Sequence, residues 1–150
     1  MLKSGDKAPA FALVDQHGKK RTLKEFAKRK VLVYFYPKAD TPGCTQQSCL
    51  LSGIKSDIGR TVILGISPDA PAKQLKFDAK YDLGFPLLAD ESHEIAKAYK
   101  VWKKKSMYGR EYMGIERSAF LIGGDGKILH AWYKISPKDT PVFLLEALGK

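Results

Sequence analysis

Val31-Leu32-Val33-Tyr34-Phe35-Tyr36-Pro37-Lys38-Ala39-Asp40-Thr41-Pro42-Gly43-Cys44-Thr45 is the stretch that decides how this chain folds. Its first six residues are apolar, β-branched or aromatic without a break, the pattern of a buried strand. Pro37 stops that strand. Thr41 suits the N-cap of a helix, and Pro42 suits the first helical position, where its missing N–H is no loss. Gly43 and Cys44 then fall in the first turn. A thiol there meets the positive end of the helix dipole and unpaired backbone N–H groups, and both favour a thiolate. A small cysteine that merely packs against the strand leaves the same pattern. Cap chemistry alone gives the two readings equal weight, so the rest of the chain must decide.

The chain has 150 residues, the size of one domain spanning 1–150 that can bury roughly 68–70% of its unfolded surface. Hydrophobic residues make up 44% and charged residues 28%, a globular composition that argues against disorder. Met1-Leu2-Lys3-Ser4-Gly5-Asp6 has no apolar core of signal-peptide length, and no apolar run approaches the ~18 residues that span a bilayer. A soluble, cytoplasmic protein with no membrane partner is therefore expected. In that compartment two cysteines point to redox chemistry or a metal before a structural staple.

A net charge of +10 invites a nucleic-acid reading. The bases are dispersed, however, as Lys19-Lys20-Arg21, Lys28-Arg29-Lys30, Lys103-Lys104-Lys105 and many single residues. No nucleic-acid motif accompanies them. A solvated basic surface that attracts anions nonspecifically is the better reading.

Taken in order, Lys7 to Val14 reads as a short extended segment, with Pro9 holding it away from helix. Asp15 to Lys19 reads as a turn, with His17 solvated in it, and Lys20-Arg21-Thr22 as a return strand. Thr22-Leu23-Lys24-Glu25 is a capping-box pattern that opens a short helix through Phe26 and Ala27. The helix from Pro42 is expected to run to Ile58, with Leu50, Leu51, Ile54 and Ile58 on its apolar face. Thr61–Ser67 is a buried strand, and Asp69–Tyr81 a helix with Leu75 and Ala79 on one face. Phe85–Ala89 is a short strand, and Ser92–Tyr99 a helix with His93 exposed near its start. Residues 100–114 read as a basic loop or irregular segment. Arg117–Ile122 and Lys127–Tyr133 form a hairpin about Gly123-Gly124-Asp125-Gly126, with His130 structural, and Pro137–Leu148 is a last helix. Strands alternating with helices, then a hairpin and a helix, predict a three-layer α/β domain with a mixed central sheet.

Pro37-x-x-x-Thr41-x-x-Cys44 after a Val-rich strand resembles the active-site signature of the peroxiredoxins. The run Tyr36 to Thr45, with Cys49 five residues after Cys44, is similar to the bacterioferritin comigratory protein, or peroxiredoxin Q, subfamily. The similarity continues through Pro9-Ala10-Phe11, Gly65-Ile66-Ser67-Pro68-Asp69, Phe85 to Asp90, Tyr112 to Arg117 and Phe120-Leu121-Ile122, nearly the whole chain. The resemblance implies a thioredoxin-like three-layer α/β/α fold with a mixed central sheet and an N-terminal β-hairpin. It also implies a thiol-dependent peroxidase for hydrogen peroxide and organic hydroperoxides, serving antioxidant defence without a cofactor or metal. Cys44 matches the peroxidatic cysteine and Thr41 the hydroxyl that holds peroxide and thiolate. Pro37 matches the proline that shields the site, and Arg117 the strand-borne arginine that stabilises the thiolate and the polarised O–O bond. The residue chemistry agrees: cleaving O–O needs a thiolate and donors aimed at developing negative charge. Each of the others has a plainer reading, Arg117 as a strand-end surface residue, Thr41 as an N-cap and Pro37 as a strand stop.

Cys49 poses a separate question. In an intact helix, positions five apart have Cα atoms roughly 8–9 Å apart, and a disulfide needs less than ~7 Å. The two thiols can join only if the helix start unwinds; otherwise Cys49 is an inert, packed cysteine. The resemblance implies the resolving role, an intramolecular Cys44–Cys49 disulfide, recycling by thioredoxin or a similar dithiol, and a monomer. Cys-x-x-x-x-Cys is wider than the Cys-x-x-Cys of a general thiol–disulfide oxidoreductase. His17, His93 and His130 are scattered, so a zinc set is not expected. A basic nucleic-acid or partner-binding module on a redox-dead scaffold is the remaining alternative, and the intact signature disfavours it.

Overall fold

Val31–Phe35 forms β3, and all five of its side chains are buried, as expected of a strand covered on both faces. The computed structural model describes residues 1–150. Around β3 the chain forms β1 (Ala12–Asp15), β2 (Lys20–Thr22), α1 (Pro42–Gly53), β4 (Val62–Ser67), α2 (Pro71–Tyr81), β5 (Leu87–Ala89) and α3 (Glu94–Ala98). Then follow β6 (Trp102–Met107), β7 (Arg110–Ile115), β8 (Ser118–Ile122), β9 (Ile128–Trp132) and α4 (Asp139–Ala147). Seven strands make one sheet in the order β2-β1-β5-β4-β3-β8-β9, and β6 and β7 pair separately. β3, β4 and β5 run parallel, while β1, β2, β8 and β9 join antiparallel, so the sheet is mixed as expected.

Alternate residues of β3 feed two cores. Val31, Val33 and Phe35 pack with Leu64, Ile66, Leu88 and Phe120, under Ala96 of α3 and the N-terminal segment. Leu32 and Tyr34 pack on the other face with Leu51 of α1, Phe77 of α2 and Leu144 of α4. The period-two alternation of a strand thus divides one apolar run between two helical layers. Leu51 has no exposed surface, and truncating such a residue to Ala costs about 2–5 kcal/mol.

The capping box is present: Thr22 Oγ1 accepts from Glu25 N–H, and the Glu25 carboxylate accepts from Thr22 N–H, each at 3.2 Å. The short helix it opens is a 3₁₀ turn, Leu23–Phe26.

Several expectations need correction. Residues 100–114 are not irregular; most of them form the β6–β7 hairpin about Tyr108-Gly109. Most of both its faces meets solvent, so it carries no apolar alternation for a sequence reading to detect. α1 ends at Gly53 and gives way to a 3₁₀ turn over Lys55–Asp57, since Ser52-Gly53 is a poor helix former. Its buried face is Cys44, Gln47, Ser48 and Leu51, and Leu50 is exposed. α2 begins at Pro71 and buries Gln74 and Phe77, while Leu75 and Ala79 face solvent. α3 and α4 are shorter than their sequence patterns by one to two residues at each end. His93 is half-buried and stacks on Trp102, with ring centroids 4.0 Å apart. His17 and His130 are exposed, the latter stacked on Trp132.

Candidate active site

The sheet register brings distant segments to one edge. β3 ends beside the start of β8, because Phe35 pairs with Ser118 and the strands are antiparallel. Arg117, just before β8, therefore arrives beside the segment that leads from β3 into α1. β4 runs parallel to β3, with Phe35 opposite Ile66, so Ser67 and Asp69 end at the same edge.

Cys44 is the third residue of α1 and is fully buried. The first helical bond runs from Thr45 N–H to the Thr41 carbonyl at 2.8 Å, so the N–H groups of Gly43 and Cys44 precede the ladder. Arg117 donates from Nη2 to Cys44 Sγ at 3.3 Å. Its other terminal nitrogen, Nη1, donates to Gln47 Oε1 at 2.7 Å. Gln47 in turn donates to Thr140 Oγ1 at 2.9 Å, and Thr140 donates to the Ser136 carbonyl at 2.9 Å. The backbone of Arg117 is tied as well, its carbonyl accepting from Ile135 N–H at 2.9 Å. A Cβ on Gly43 would stand 3.1 Å from Arg117 Nη2, so the absence of a side chain there admits the guanidinium. Lys105 of β6 is held below the usual lysine value, chiefly by burial and then by the positive charge of Arg117.

Thr41 occupies the N-cap position, yet its side chain does not cap α1. The hydroxyl donates instead to the Lys38 carbonyl at 2.8 Å, which leaves its lone pairs free to accept. Pro37 is half-buried at the end of β3. The loop between them is held from below. Asp69 Oδ2 accepts from Ala39 N–H and from Ser67 Oγ, each at 2.7 Å. Gln74 donates to Ser67 Oγ at 2.8 Å and accepts from the Tyr36 hydroxyl. On the outer side, Asp40 takes hydrogen bonds from Lys80 Nζ at 2.9 Å and Tyr81 Oη at 2.6 Å. These donors hold the Asp40 carboxyl below its ordinary value.

Cys49 lies five residues along an unbroken α1, half-buried, and both cysteines are free. Burial pushes its thiol above the ordinary value. Beside it Ser48 shares a 2.8 Å hydrogen bond with the buried Tyr34 hydroxyl.

Of the residues singled out in the sequence, Cys44 and Arg117 are in direct contact, Thr41 is the N-cap residue of the helix that carries Cys44, Pro37 lies just past the end of β3, and Cys49 is set back along the helix. Gln47, Thr140, Gly43 and Asp69 were not picked out as site residues. Only Gln47 carried a signal, lying three positions after Cys44 on the same helical face. A guanidinium and a helix start aimed at one buried sulfur can stabilise a thiolate and the charge that develops when it attacks.

The sequence profile of the AhpC/TSA family matches residues 4–131. The chain belongs to the AhpC/TSA family. It is 47% identical to the peroxiredoxin Bcp of Escherichia coli strain K12 over 133 residues, 87% of this chain and 85% of that one. It is 40% identical to the peroxiredoxin Bcp of Bacillus subtilis strain 168 over 149 residues, 98% of this chain and 95% of that one. Among solved structures it is similar to the bacterioferritin comigratory protein of Xanthomonas campestris, studied for alkyl peroxide reduction. That match has a TM-score of 0.87 at 34% identity, covering 93% of this chain and 90% of the other. A cysteine-to-serine variant of Xylella fastidiosa PrxQ gives a TM-score of 0.88 at 30% identity, covering 99% and 94%. This peroxiredoxin thus has the thioredoxin-like fold and is a thiol peroxidase of the Bcp and PrxQ kind. No helix in it is long and apolar enough to cross a membrane.

Proposed function

We propose that residues 1–150 act as one peroxidase unit in which Cys44 is the peroxidatic cysteine. The observation that carries this reading is the 3.3 Å contact of Arg117 Nη2 with Cys44 Sγ at the start of a helix. The Cys44 thiolate attacks the terminal oxygen of a hydroperoxide. The O–O bond breaks, the sulfur is oxidised to a sulfenic acid, and the departing alkoxide or hydroxide takes a proton to leave as alcohol or water. Arg117 and the free N–H groups of the first turn hold the negative charge as it moves from sulfur to the departing oxygen. Thr41 Oγ1 accepts the hydroperoxide O–H, and Pro37 keeps bulk water from the sulfur.

Cys49 resolves the intermediate. Its sulfur displaces the sulfenic hydroxyl, water leaves, and a Cys44–Cys49 disulfide forms within one chain. A dithiol of the thioredoxin class then reduces that disulfide and is itself oxidised to a disulfide. Intramolecular resolution needs no second subunit, which supports a monomer. Two free thiols suit a reducing compartment such as the cytoplasm. The test is peroxide consumption driven by a dithiol reductant, for the wild type and Cys44→Ser. A serine hydroxyl is not appreciably ionised near neutral pH, so turnover should vanish. Full turnover by the serine variant would overturn the assignment.

A further inference from the structure

Cleaving a hydroperoxide leaves an alkoxide or hydroxide that needs a proton, and none of the groups placed so far around Cys44 releases one readily. A guanidinium stays protonated, and hydroxyl and amide protons are held too tightly near neutral pH. A side chain that can give up a proton stands on the β6–β7 ribbon, which lies outside the main sheet.

Lys105 of β6 pairs with Tyr112, and Lys103 pairs with Gly114. The Lys105 stem leans over Gly114, where a Cβ would stand 3.3 Å from its Cδ and 3.6 Å from its Cε. The stem therefore runs from its own pair toward the base of the ribbon. There Trp102 faces Ile115, and the chain passes through Glu116 to Arg117. Lys103 is turned elsewhere, over the Tyr133 ring at 5.8 Å from its centroid. Lys105 is half-buried, and its ammonium makes no ion pair inside the molecule. Burial, then the positive charge of Arg117, makes that ammonium a stronger acid than an ordinary lysine. The negative charges of Glu116 and of a Cys44 thiolate act the other way. The ammonium is thus within electrostatic reach of both members of the Arg117–Cys44 contact.

We propose that Lys105 is a further catalytic residue, the acid that protonates the departing oxygen as Cys44 cleaves the O–O bond. This rests on the reading of Cys44 as the peroxidatic cysteine. The thiolate gives an electron pair to the terminal oxygen, and the S–O bond forms. That oxygen keeps its own hydrogen as the sulfenic O–H. The O–O pair goes to the second oxygen, which takes a proton from Lys105 Nζ and leaves as water or alcohol. Sulfur is oxidised, the peroxide is reduced, and the neutral amine regains its proton from water. Arg117 and Lys105 then have separate tasks: the guanidinium holds charge without parting with a proton, and the ammonium supplies one.

The experiment compares two oxidants by rapid mixing, following Cys44 oxidation in the full chain. Hydrogen peroxide expels hydroxide, a strong base that needs the acid. Peracetic acid expels acetate, a weak base that departs without a proton. Each rate is divided by the thiolate fraction, read from its ultraviolet absorbance, so that a lost positive charge near the sulfur is not counted. Lys105→Met keeps an unbranched stem over Gly114 and should leave the melting temperature in place. It should slow hydrogen peroxide about a hundredfold while peracetic acid reacts close to the wild-type rate. Lys105→Arg keeps the charge without a releasable proton, so it should still be about tenfold or more slower with hydrogen peroxide. An equal loss with both oxidants, full recovery in Lys105→Arg, or no loss in Lys105→Met would each overturn the proposal. A wild type in which neither oxidant reacts at Cys44 would instead overturn the Cys44 assignment, and this proposal with it.

Discussion

Gln47 accepts a 2.7 Å hydrogen bond from Arg117 across 70 positions of sequence, while the same guanidinium reaches Cys44 at 3.3 Å. The amide sits one helical turn beyond the sulfur, so helix geometry and the guanidinium fork together set where the second nitrogen points. Gln47→Ala should free the guanidinium and slow peroxide reduction roughly tenfold, the value of one charged hydrogen bond at about 1.5 kcal/mol. Arg117→Ala should cost more, about 10²–10³-fold, because it removes the donor itself. Rapid-mixing rates of Cys44 oxidation check both, and a Gln47→Ala rate equal to wild type would leave the amide a purely structural role.

Gly43→Ala tests the same approach from the other side. The position has negative φ, so alanine brings no backbone strain, and helix propensity favours it by up to about 1 kcal/mol. Its Cβ, however, would lie 3.1 Å from Arg117 Nη2. The thermal midpoint should hold or rise while the oxidation rate falls between about tenfold and a hundredfold, as small displacements in a site do. A parallel change in both would place the effect in folding instead.

The loop from Pro37 to Thr41 depends on Asp69. Removing its carboxylate in Asp69→Ala leaves the Ala39 N–H and the Ser67 hydroxyl short of an acceptor. Urea unfolding should show a loss of about 1–3 kcal/mol. Amide exchange at 38–41 should quicken, and peroxide reduction should slow because the loop that carries Thr41 loosens.

Resolution by Cys49 carries a structural demand. α1 is continuous past both cysteines, and a disulfide cannot bridge positions five apart in an intact helix. Peroxide-treated protein should yield an internally linked Cys44–Cys49 peptide by mass spectrometry, with faster exchange over 43–51. Cys49→Ser should form one sulfenic acid and then fail to recycle through a dithiol. The pH dependence follows in sign. Burial raises the Cys49 thiol in the folded helix, so the open form binds fewer protons once pH passes the ordinary thiol value. Helix opening near Cys49 should therefore grow as pH rises through that window. In Cys49→Ser that growth should be smaller, and equal growth in both proteins would assign it to another group.

Much of this protein is written locally. The unbroken apolar run of β3 and its stop at Pro37 follow from steric and solvation preferences of residues adjacent in the chain. So do the helix start at Pro42, the Gly-rich turn before β9 and the capping box at Thr22. Cys44 was legible for the same reason, as a thiol in a first helical turn, and the family signature added Thr41, Pro37 and Arg117. Apart from the β6–β7 hairpin, the sequence alone thus determined the order of strands and helices, and with the family signature it singled out Cys44 as the candidate nucleophile.

Tertiary structure decided what no local rule can see. The buried faces of α1 and α2 include Gln47, Ser48 and Gln74, which an apolar-periodicity reading passes over in favour of Leu50 and Leu75. Those polar side chains are tolerated inside because Tyr34, Tyr36, Arg117 and Thr140 satisfy them from 14 to 93 positions away. Likewise, Arg117 meets Cys44 only because β8 runs antiparallel to β3 in a register that sets Ser118 opposite Phe35. Most of the β6–β7 hairpin is solvated, with apolar burial confined to its base at Trp102 and Ile115, so little apolar alternation is written into its sequence and its strand pairing is visible only once the backbone is in place. Hydrophobic patterning reports which surface is buried; the partners of buried polar groups are set by how the strands and helices pack, which is why the fold and the candidate nucleophile could be read early and the network around them could not.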